Sequence, residues 1–310
     1  AGDGEEVPVP EDAEERFARW NYASGEELLA LCEHEHVTIA QAFRAREEAL
    51  CAKQGTEAGI DAYLERVLEV MGNAATEPLG NPQPSVGGLI GGEAEKLASH
   101  QAAGRGICGD VLEKAITYAV AVLETNASMG LIVAAPTAGS AGVVPGMLLA
   151  LQECHSFSDN DLIKVLFNAG AIGYLAMRNA TVAGAVGGCQ AEVGIASAMA
   201  ASAAVELFGG SPKQCLDAAT IVLMNMLGLV CDPVGGLVEY PCQNRNAAGV
   251  ANALIAAEMA LAGLSQLIPF DEMLETMYTV GKRLPAELRE TAMGGCAIAP
   301  SACAACHMCS

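Results

Sequence analysis

Apolar residues recur at helical spacing along most of the chain, with polar residues at the positions between them. After Asp110, one face of a predicted helix is formed by Val111, Leu112, Ile116, Ala119 and Val122. The alternation typical of strands is confined to two short candidates, residues 131–133 and 237–238. The pattern therefore predicts an all-α fold, a compact helical domain with Gly/Pro-rich connectors.

Capping signals mark where several of these helices begin. Residues 24–27 and 38–41 both fit the capping box, in which two side chains satisfy free backbone N–H groups. Ser211 before Pro212 predicts a helix that runs to Leu229. These helix starts need only local sequence, so we expect them at the stated residues.

Two more helices are predicted in the C-terminal third. Asn246 is expected to cap a helix over residues 247–262, which Gly263 ends. The last helix is expected to follow Asp271 and to run to about Lys282.

The charge balance excludes some classes of function. The chain has 37 Asp+Glu against 16 Lys+Arg, a formal net charge of −21. A nucleic-acid binder needs a basic face to replace phosphate counterions, so no nucleic-acid partner is expected.

The chain divides into an acidic N-terminal extension (1–23), one helical domain (24–295) and a Cys-rich C-terminal tail (296–310).

The N-terminal residues and one uncharged run bear on localisation. Residues 1–15 are acidic and lack the basic and apolar regions of a signal peptide. Residues 125–152 carry no charge, but prolines and glycines interrupt them, so no membrane span is predicted. We expect a cytoplasmic protein with reduced thiols.

The connectors are unusually rich in small residues. The chain is 52% hydrophobic but only 4% aromatic, and it contains 34 glycines. Long irregular segments inside a compact domain are often functional, and their backbone N–H groups suit a carboxylate or a phosphate. Five such connectors lie at residues 81–92, 134–146, 187–190, 231–236 and 241–246.

The twelve cysteines fall into groups. Cys189, Cys231 and Cys242 lie in Gly/Pro-rich connectors, and their spacing alone leaves metal binding open. A second candidate is the tail, which carries C-x2-C-x2-C and a histidine at Cys303, Cys306, His307 and Cys309. Helical patterns contain Cys32, Cys51, Cys154 and Cys215, interpreted as apolar filler; Cys108 and Cys296 remain unassigned.

Five long motifs, in order along the chain, carry a resemblance to a known family. They are GGLIGGEAEK (87–96), NASMGLIVAAPTAGSAGVVPG (126–146), GGCQAEVG (187–194), CDPVGGLVEYPCQNRN (231–246) and IPFDEMLETMYTVGKRLPAELRETAMGG (268–295). Together they resemble the catalytic alpha chain of iron–sulfur-dependent L-serine dehydratases, over roughly residues 24–295.

The resemblance implies a lyase with a [4Fe–4S] cluster and no pyridoxal phosphate. Cys189, Cys231 and Cys242 are the implied cluster ligands, and the open iron is expected to act as a Lewis acid on L-serine. The products implied are pyruvate and ammonia. A separate beta chain is expected to complete the site, and the protein is also a candidate homo-oligomer.

The substrate carboxylate is expected to bind the turn formed by Thr137, Ala138, Gly139 and Ser140. Further candidate substrate-binding residues are Asn126, Ser128, Asn244 and Arg245. Glu93 and Lys96 are candidates for proton transfer, although their i, i+3 spacing equally fits a surface ion pair. The general base is not identified.

Several alternatives remain open at this stage. Cluster chemistry of the same type would also suit an L-cysteine desulfidase or an L-threonine dehydratase. The tail motif would suit a non-catalytic iron–sulfur electron carrier or sensor, and inert thiols would suit a helical scaffold. Ser310 resembles the substrate, with a free carboxylate beside a β-hydroxyl, so one hypothesis is that the tail folds back to block the open iron.

Overall fold

The computed structural model describes residues 12–56 and 59–306. Over these ranges the chain is all-α, as the apolar pattern predicts. The strand candidates at 131–133 and 237–238 are wrong, because both segments are irregular. A single isolated parallel bridge, between Cys231 and Arg289, is the only β pairing in the described ranges.

The described residues form fourteen α-helices. In order they are α1 (Ala13–Trp20), α2 (Gly25–Glu35), α3 (Ile39–Lys53), α4 (Ile60–Gly80), α5 (Glu93–Ala102), α6 (Asp110–Ala127), α7 (Val143–His155), α8 (Asp159–Asn179), α9 (Gly184–Gly187), α10 (Cys189–Leu207), α11 (Pro212–Asn225), α12 (Cys242–Leu261), α13 (Phe270–Arg283) and α14 (Pro300–Ala305). Short 3₁₀ turns occur at Ala138–Ser140, Val234–Gly236, Ala286–Leu288 and Gly295–Ile298.

Helix α10 lies at the centre of the fold. Every residue from Cys189 to Val205 is buried, because the helix is built almost entirely from alanine and other small or apolar residues. Helices α7, α8, α11 and α12 pack around it. A Cβ at Gly249 of α12 would lie 2.8 Å from Ser197 Oγ, so this glycine permits close approach of α12 to α10.

The purely local helix starts form largely as predicted. Thr38 makes the full capping box with Gln41, and Ser211 caps α11 with Pro212 at its first position. Ser24 accepts from the Glu27 N–H, but the Glu27 carboxylate accepts from the Ala23 N–H instead of closing the box on Ser24.

The predicted starts of two C-terminal helices are wrong. Helix α12 begins at Cys242, four residues before the expected cap, and Asn246 lies inside it with its amide bonded to Gly139 and Gly142. Helix α13 begins at Phe270 rather than after Asp271, whose carboxylate instead accepts from two N–H groups at the start of α2. Helix α11 ends at Asn225 rather than at the predicted Leu229. Helix α13 is not the last helix, because α14 follows it.

The two ends of the described chain pack onto the domain. Helix α1 lies on α3, where Lys53 pairs with Glu14 at 2.8 Å. In the tail, the Cys296 N–H donates to Asp232 at 2.6 Å. His307, Cys309 and Ser310 lie outside the described residues, so the tail hypothesis stays a prediction. Within the described ranges, no helix combines the length and apolar character needed to cross a membrane.

Candidate functional site

Three cysteines from different connectors are buried near the starts of two core helices. Cys189 is the first residue of α10, Cys242 is the first residue of α12, and Cys231 lies between α11 and α12. Every cysteine among the described residues is a free thiol. A helix N-terminus carries partial positive charge and favours the thiolate form, so both helix starts suit a metal-binding cysteine.

Cys189 and Cys231 form a hydrogen-bonded pair. The hydrogen bond from Cys231, aided by the charge of Arg245, lowers the pKa of Cys189 despite its burial. The same pairing, together with burial, raises the pKa of Cys231. The pairing therefore shifts the pKa values of the two thiols in opposite directions.

Glu192, which the sequence reasoning missed, joins this pair one turn into α10. Its carboxylate oxygen Oε2 lies 3.6 Å from Cys231 Sγ, and its Oε1 accepts a 2.9 Å hydrogen bond from Thr137. The side chain is buried, which raises the pKa of the Glu192 carboxyl. Its i, i+3 spacing from Cys189 inside the motif GGCQAEVG was the available signal.

The ligand atoms of Cys189, Glu192 and Cys231 all lie within 4.8 Å of one another. Cys242 is not part of this group, so its sulfur is farther than 4.8 Å from at least one of these atoms. Burial raises the pKa of the Cys242 thiol to about 12, and the negative charge of Cys189 contributes to this shift. Cys242 is therefore close enough to Cys189 for the two groups to interact electrostatically.

Two glycines, Gly184 and Gly139, pack directly against the Glu192 carboxylate, and Gly184 also packs against Cys231. A Cβ at Gly184 would lie 2.4 Å from Glu192 Oε2 and 3.1 Å from Cys231 Sγ. A Cβ at Gly139 would lie 3.3 Å from Glu192 Oε1. Any side chain at Gly184 would therefore displace the carboxylate and the sulfur from their positions.

The predicted carboxylate-binding turn is next to this group. Thr137 and Ser140 bond to each other within the 3₁₀ turn, and the Thr137 hydroxyl reaches Glu192. Asn126 donates to the Ala138 carbonyl at 3.2 Å, and Asn246 donates to the Gly139 carbonyl at 2.8 Å. The turn is thus held from two helices, and the first N–H groups of such a turn have no partner inside it.

Arg245, in the 241–246 connector, bonds to the neighbouring segment at residues 230–232. Its Nη2 lies 2.6 Å from Asp232 Oδ1, its Nη1 donates to the Val230 carbonyl at 2.8 Å, and its guanidinium hydrogen-bonds Cys189. It therefore joins the connector to the cysteine pair. Of the other predicted substrate-binding residues, Asn244 is exposed in the first turn of α12, and Ser128 bonds to the last turn of α6.

Glu93 and Lys96 lie in the first turn of α5. Lys96 Nζ is 3.6 Å from Glu93 Oε1, and 75% of the Lys96 side chain is exposed. The second Glu93 oxygen accepts from the Gly91 N–H at 2.6 Å. Among the described residues, neither side chain bonds to the Cys189–Glu192–Cys231 group, and Glu93 instead shares a hydrogen bond with the carboxyl of Glu124.

Two more buried glutamates, also missed, fix the 81–92 connector. The Glu239 carboxylate accepts from the Ser85 hydroxyl and from the N–H groups of Gly87 and Leu89, at 2.6–3.0 Å. Glu124 accepts from the N–H groups of Gly92 and Ala94. These N–H groups are therefore occupied by the chain's own carboxylates.

Known proteins are similar to this chain over most of its length. A family profile described as the serine dehydratase alpha chain matches residues 34–297. The probable L-serine dehydratase alpha chain of Bacillus subtilis (strain 168) is 46% identical over 275 residues, which are 89% of this chain and 91% of that protein. The L-serine dehydratase alpha chain of Peptoniphilus asaccharolyticus is 44% identical over 271 residues, 87% of this chain and 92% of that protein.

A longer relative matches equally much of this chain. L-serine dehydratase 1 of Escherichia coli (strain K12) is 37% identical over 292 residues, which are 92% of this chain but only 63% of that protein. These two alpha chains therefore match nearly end to end, whereas the longer protein extends beyond the match. The chain belongs to the serine dehydratase alpha-chain family.

Proposed function

We propose that the protein converts L-serine to pyruvate and ammonia, using a [4Fe–4S] cluster held by Cys189, Cys231 and Cys242. The observation that carries the proposal is the junction of the buried cysteine pair with Glu192 and Thr137. The names of the relatives support serine as the substrate.

The donor set fits an iron–sulfur cluster. Three buried thiols come from three connectors, two of them at helix starts, and Gly184 leaves the space beside Cys231 free of side chain. Arg245 places a positive charge beside Cys189. When bound, a cluster with three thiolate ligands supplies one iron with an open position, a Lewis acid for the carboxylate and hydroxyl of serine.

The chain's own residues would orient the substrate and move the proton. The Thr137–Ser140 turn offers the free N–H groups of its first residues to the substrate carboxylate, since its hydroxyls are already bonded within the chain. We assign the α-proton to Glu192, because its carboxylate lies beside the cysteine pair and burial raises its pKa above that of an exposed glutamate. Loss of this proton and of the β-hydroxide releases one water and leaves aminoacrylate, whose tautomer takes up water to give pyruvate and ammonia.

A separate beta chain is the proposed partner. The alpha-chain names imply a second chain, and the Escherichia coli relative is much longer than its match to this chain. We propose that the beta chain supplies what the longer relative carries in one polypeptide.

The test is anaerobic purification of the chain together with its beta chain. Four irons and four sulfides per alpha chain are expected, with a cluster spectrum that L-serine perturbs and pyruvate formation that needs no added pyridoxal phosphate. Cys242→Ser is expected to lose the cluster. Absence of iron from protein purified in this way would contradict the proposal.

Substrate choice is measured on the same preparation. L-threonine would yield 2-oxobutanoate, and L-cysteine would release sulfide, so both products are assayed beside pyruvate. A higher kcat/KM for either of these amino acids than for L-serine would overturn the assignment of serine.

A further inference from the structure

We infer that Cys189, Cys231 and Glu192 form a second metal site, for a single zinc-type ion, which does not use Cys242. The inference goes beyond the proposed function, because it concerns the protein without its cluster. The site shares two ligands with the proposed cluster site and differs in the third.

One ligand-to-ligand distance in the group matches a single tetrahedral ion. With Zn–S bonds of about 2.3 Å and Zn–O bonds of about 2.1 Å, a tetrahedral ion holds its sulfur and oxygen ligands about 3.6 Å apart. Cys231 Sγ and Glu192 Oε2 are 3.6 Å apart, and Cys189 completes a group whose atoms all lie within 4.8 Å of one another.

The donor chemistry selects the type of ion. Two thiolates and one carboxylate favour zinc over calcium or magnesium, which prefer oxygen ligands. Three protein ligands leave a fourth position open, as in zinc sites that bind water or a small molecule. The Thr137 hydroxyl, bonded to Glu192, fixes the orientation of the carboxylate ligand.

The surrounding charges also favour a cation. All three ligands are buried, and they would place three negative charges in one apolar region. Arg245 beside Cys189 offsets one of them, but it is also committed to Asp232. A divalent ion neutralises the remaining two charges, whereas Glu290, whose charge acts on both Glu192 and Cys231, adds further negative potential.

A [4Fe–4S] cluster makes a different demand on the same pocket. Each of its cysteines binds a different iron, so their sulfurs lie farther apart than two sulfurs on a single ion. The cluster needs Cys242, which lies outside the close group, and does not need Glu192. A bound zinc ion would therefore exclude the cluster and also occupy the carboxylate proposed to accept the proton.

The test titrates the metal-free, full-length chain with Zn²⁺ against a chromophoric chelator, under reducing anaerobic conditions. Co²⁺ serves as a coloured substitute, since its visible spectrum reports thiolate ligation and tetrahedral geometry. All measurements use a background in which Cys303, Cys306 and Cys309 are serine, because the tail spacing could itself bind zinc.

The expected result is one Zn²⁺ per chain. Cys189→Ser and Cys231→Ser should each abolish tight binding, and Glu192→Gln should weaken it at least about tenfold. Cys242→Ser should leave the zinc affinity unchanged. Circular dichroism and thermal unfolding of each metal-free variant establish that it is folded before its affinity is compared.

Two outcomes would overturn the inference. One is an unchanged zinc affinity in folded Glu192→Gln; the other is a loss in Cys242→Ser as large as that in Glu192→Gln, which would indicate a three-cysteine site. The zinc titration uses no substrate. A failed serine assay would therefore contradict the proposed function but would not bear on the zinc site. The two variants should affect cluster content in the opposite way: Cys242→Ser should lose the cluster, and Glu192→Gln should retain it.

Discussion

The Thr137 hydroxyl donates to the Glu192 carboxylate across 2.9 Å, and this bond joins the 137–140 turn to the first turn of α10. It links the residues expected to bind the substrate carboxylate with the buried acid nearest the cysteine pair. The proposed proton acceptor and the proposed anion site are therefore positioned by one contact.

Replacing Glu192 by glutamine should remove the proton acceptor while keeping the side-chain shape. We expect kcat for L-serine to fall by at least about 100-fold, with cluster content unchanged and KM altered much less. Steady-state kinetics with iron and sulfide counting measure this. Glu95→Gln, on an exposed position of α5, is the matched control. A Glu192→Gln enzyme with more than half of the original kcat would contradict the role.

Removing the Thr137 hydroxyl should change the pH dependence of the reaction. This hydrogen bond lowers the pKa of Glu192 against the larger opposite effect of burial, so Thr137→Val should raise that pKa further. If Glu192 must be ionised to accept a proton, activity falls as the pH drops through its pKa. The acid limb of kcat/KM should therefore move to higher pH in Thr137→Val and return in Thr137→Ser; identical profiles would exclude this coupling.

Neutralising Arg245 should weaken retention of the cluster. Its guanidinium lowers the pKa of Cys189 and holds the connector through Asp232 and Val230, so Arg245→Gln removes both effects. We expect less iron and sulfide per chain and faster cluster loss to a chelator. Arg283→Gln, exposed in the last turn of α13, should retain the cluster as the unaltered protein does. Equal retention in both variants would assign Arg245 no role in holding the cluster.

Replacing Glu239 by glutamine should destabilise the protein without changing its volume. The carboxylate accepts three hydrogen bonds, and an amide would turn a donor toward one of those donors. An unsatisfied buried group of this kind costs about 1–3 kcal/mol in the free energy of unfolding. Denaturant unfolding of the cluster-free protein measures it, with Glu275→Gln on the exposed side of α13 as control. Equal midpoints for the two variants would contradict the expectation.

The fold class and the simplest helix starts follow from the sequence because they depend on nearby residues. Thr38 and Ser211 each satisfy an N–H group three residues later, so the local sequence contains all the partners. Asn246 and Asp271 look like caps of the same kind, but their side chains bond to distant segments. These partners are far away in the sequence, so the residues around each candidate cap do not reveal them. Both predicted helix starts are therefore wrong.

The candidate site follows the same division. Connectors and a family resemblance, both carried by the linear sequence, predict Cys189, Cys231 and Cys242 as cluster ligands. Glu192 was missed because its role arises only where α10 meets the Thr137 turn. Glu239 was missed for a similar reason, since its partners lie about 150 residues earlier in the chain.

The positions of Cys189 and Cys242 would link the proposed cluster to the stability of two core helices. These residues begin α10 and α12, and neither helix start has a side-chain cap. Sulfur bound to metal is an anionic acceptor at both starts, so the metal centre would serve as a shared cap for two packed core helices. Removing the metal should therefore cause the first turns of both helices to fray. Loss of the proposed cluster would then deprive the starts of two core helices of their anionic acceptor at the same time.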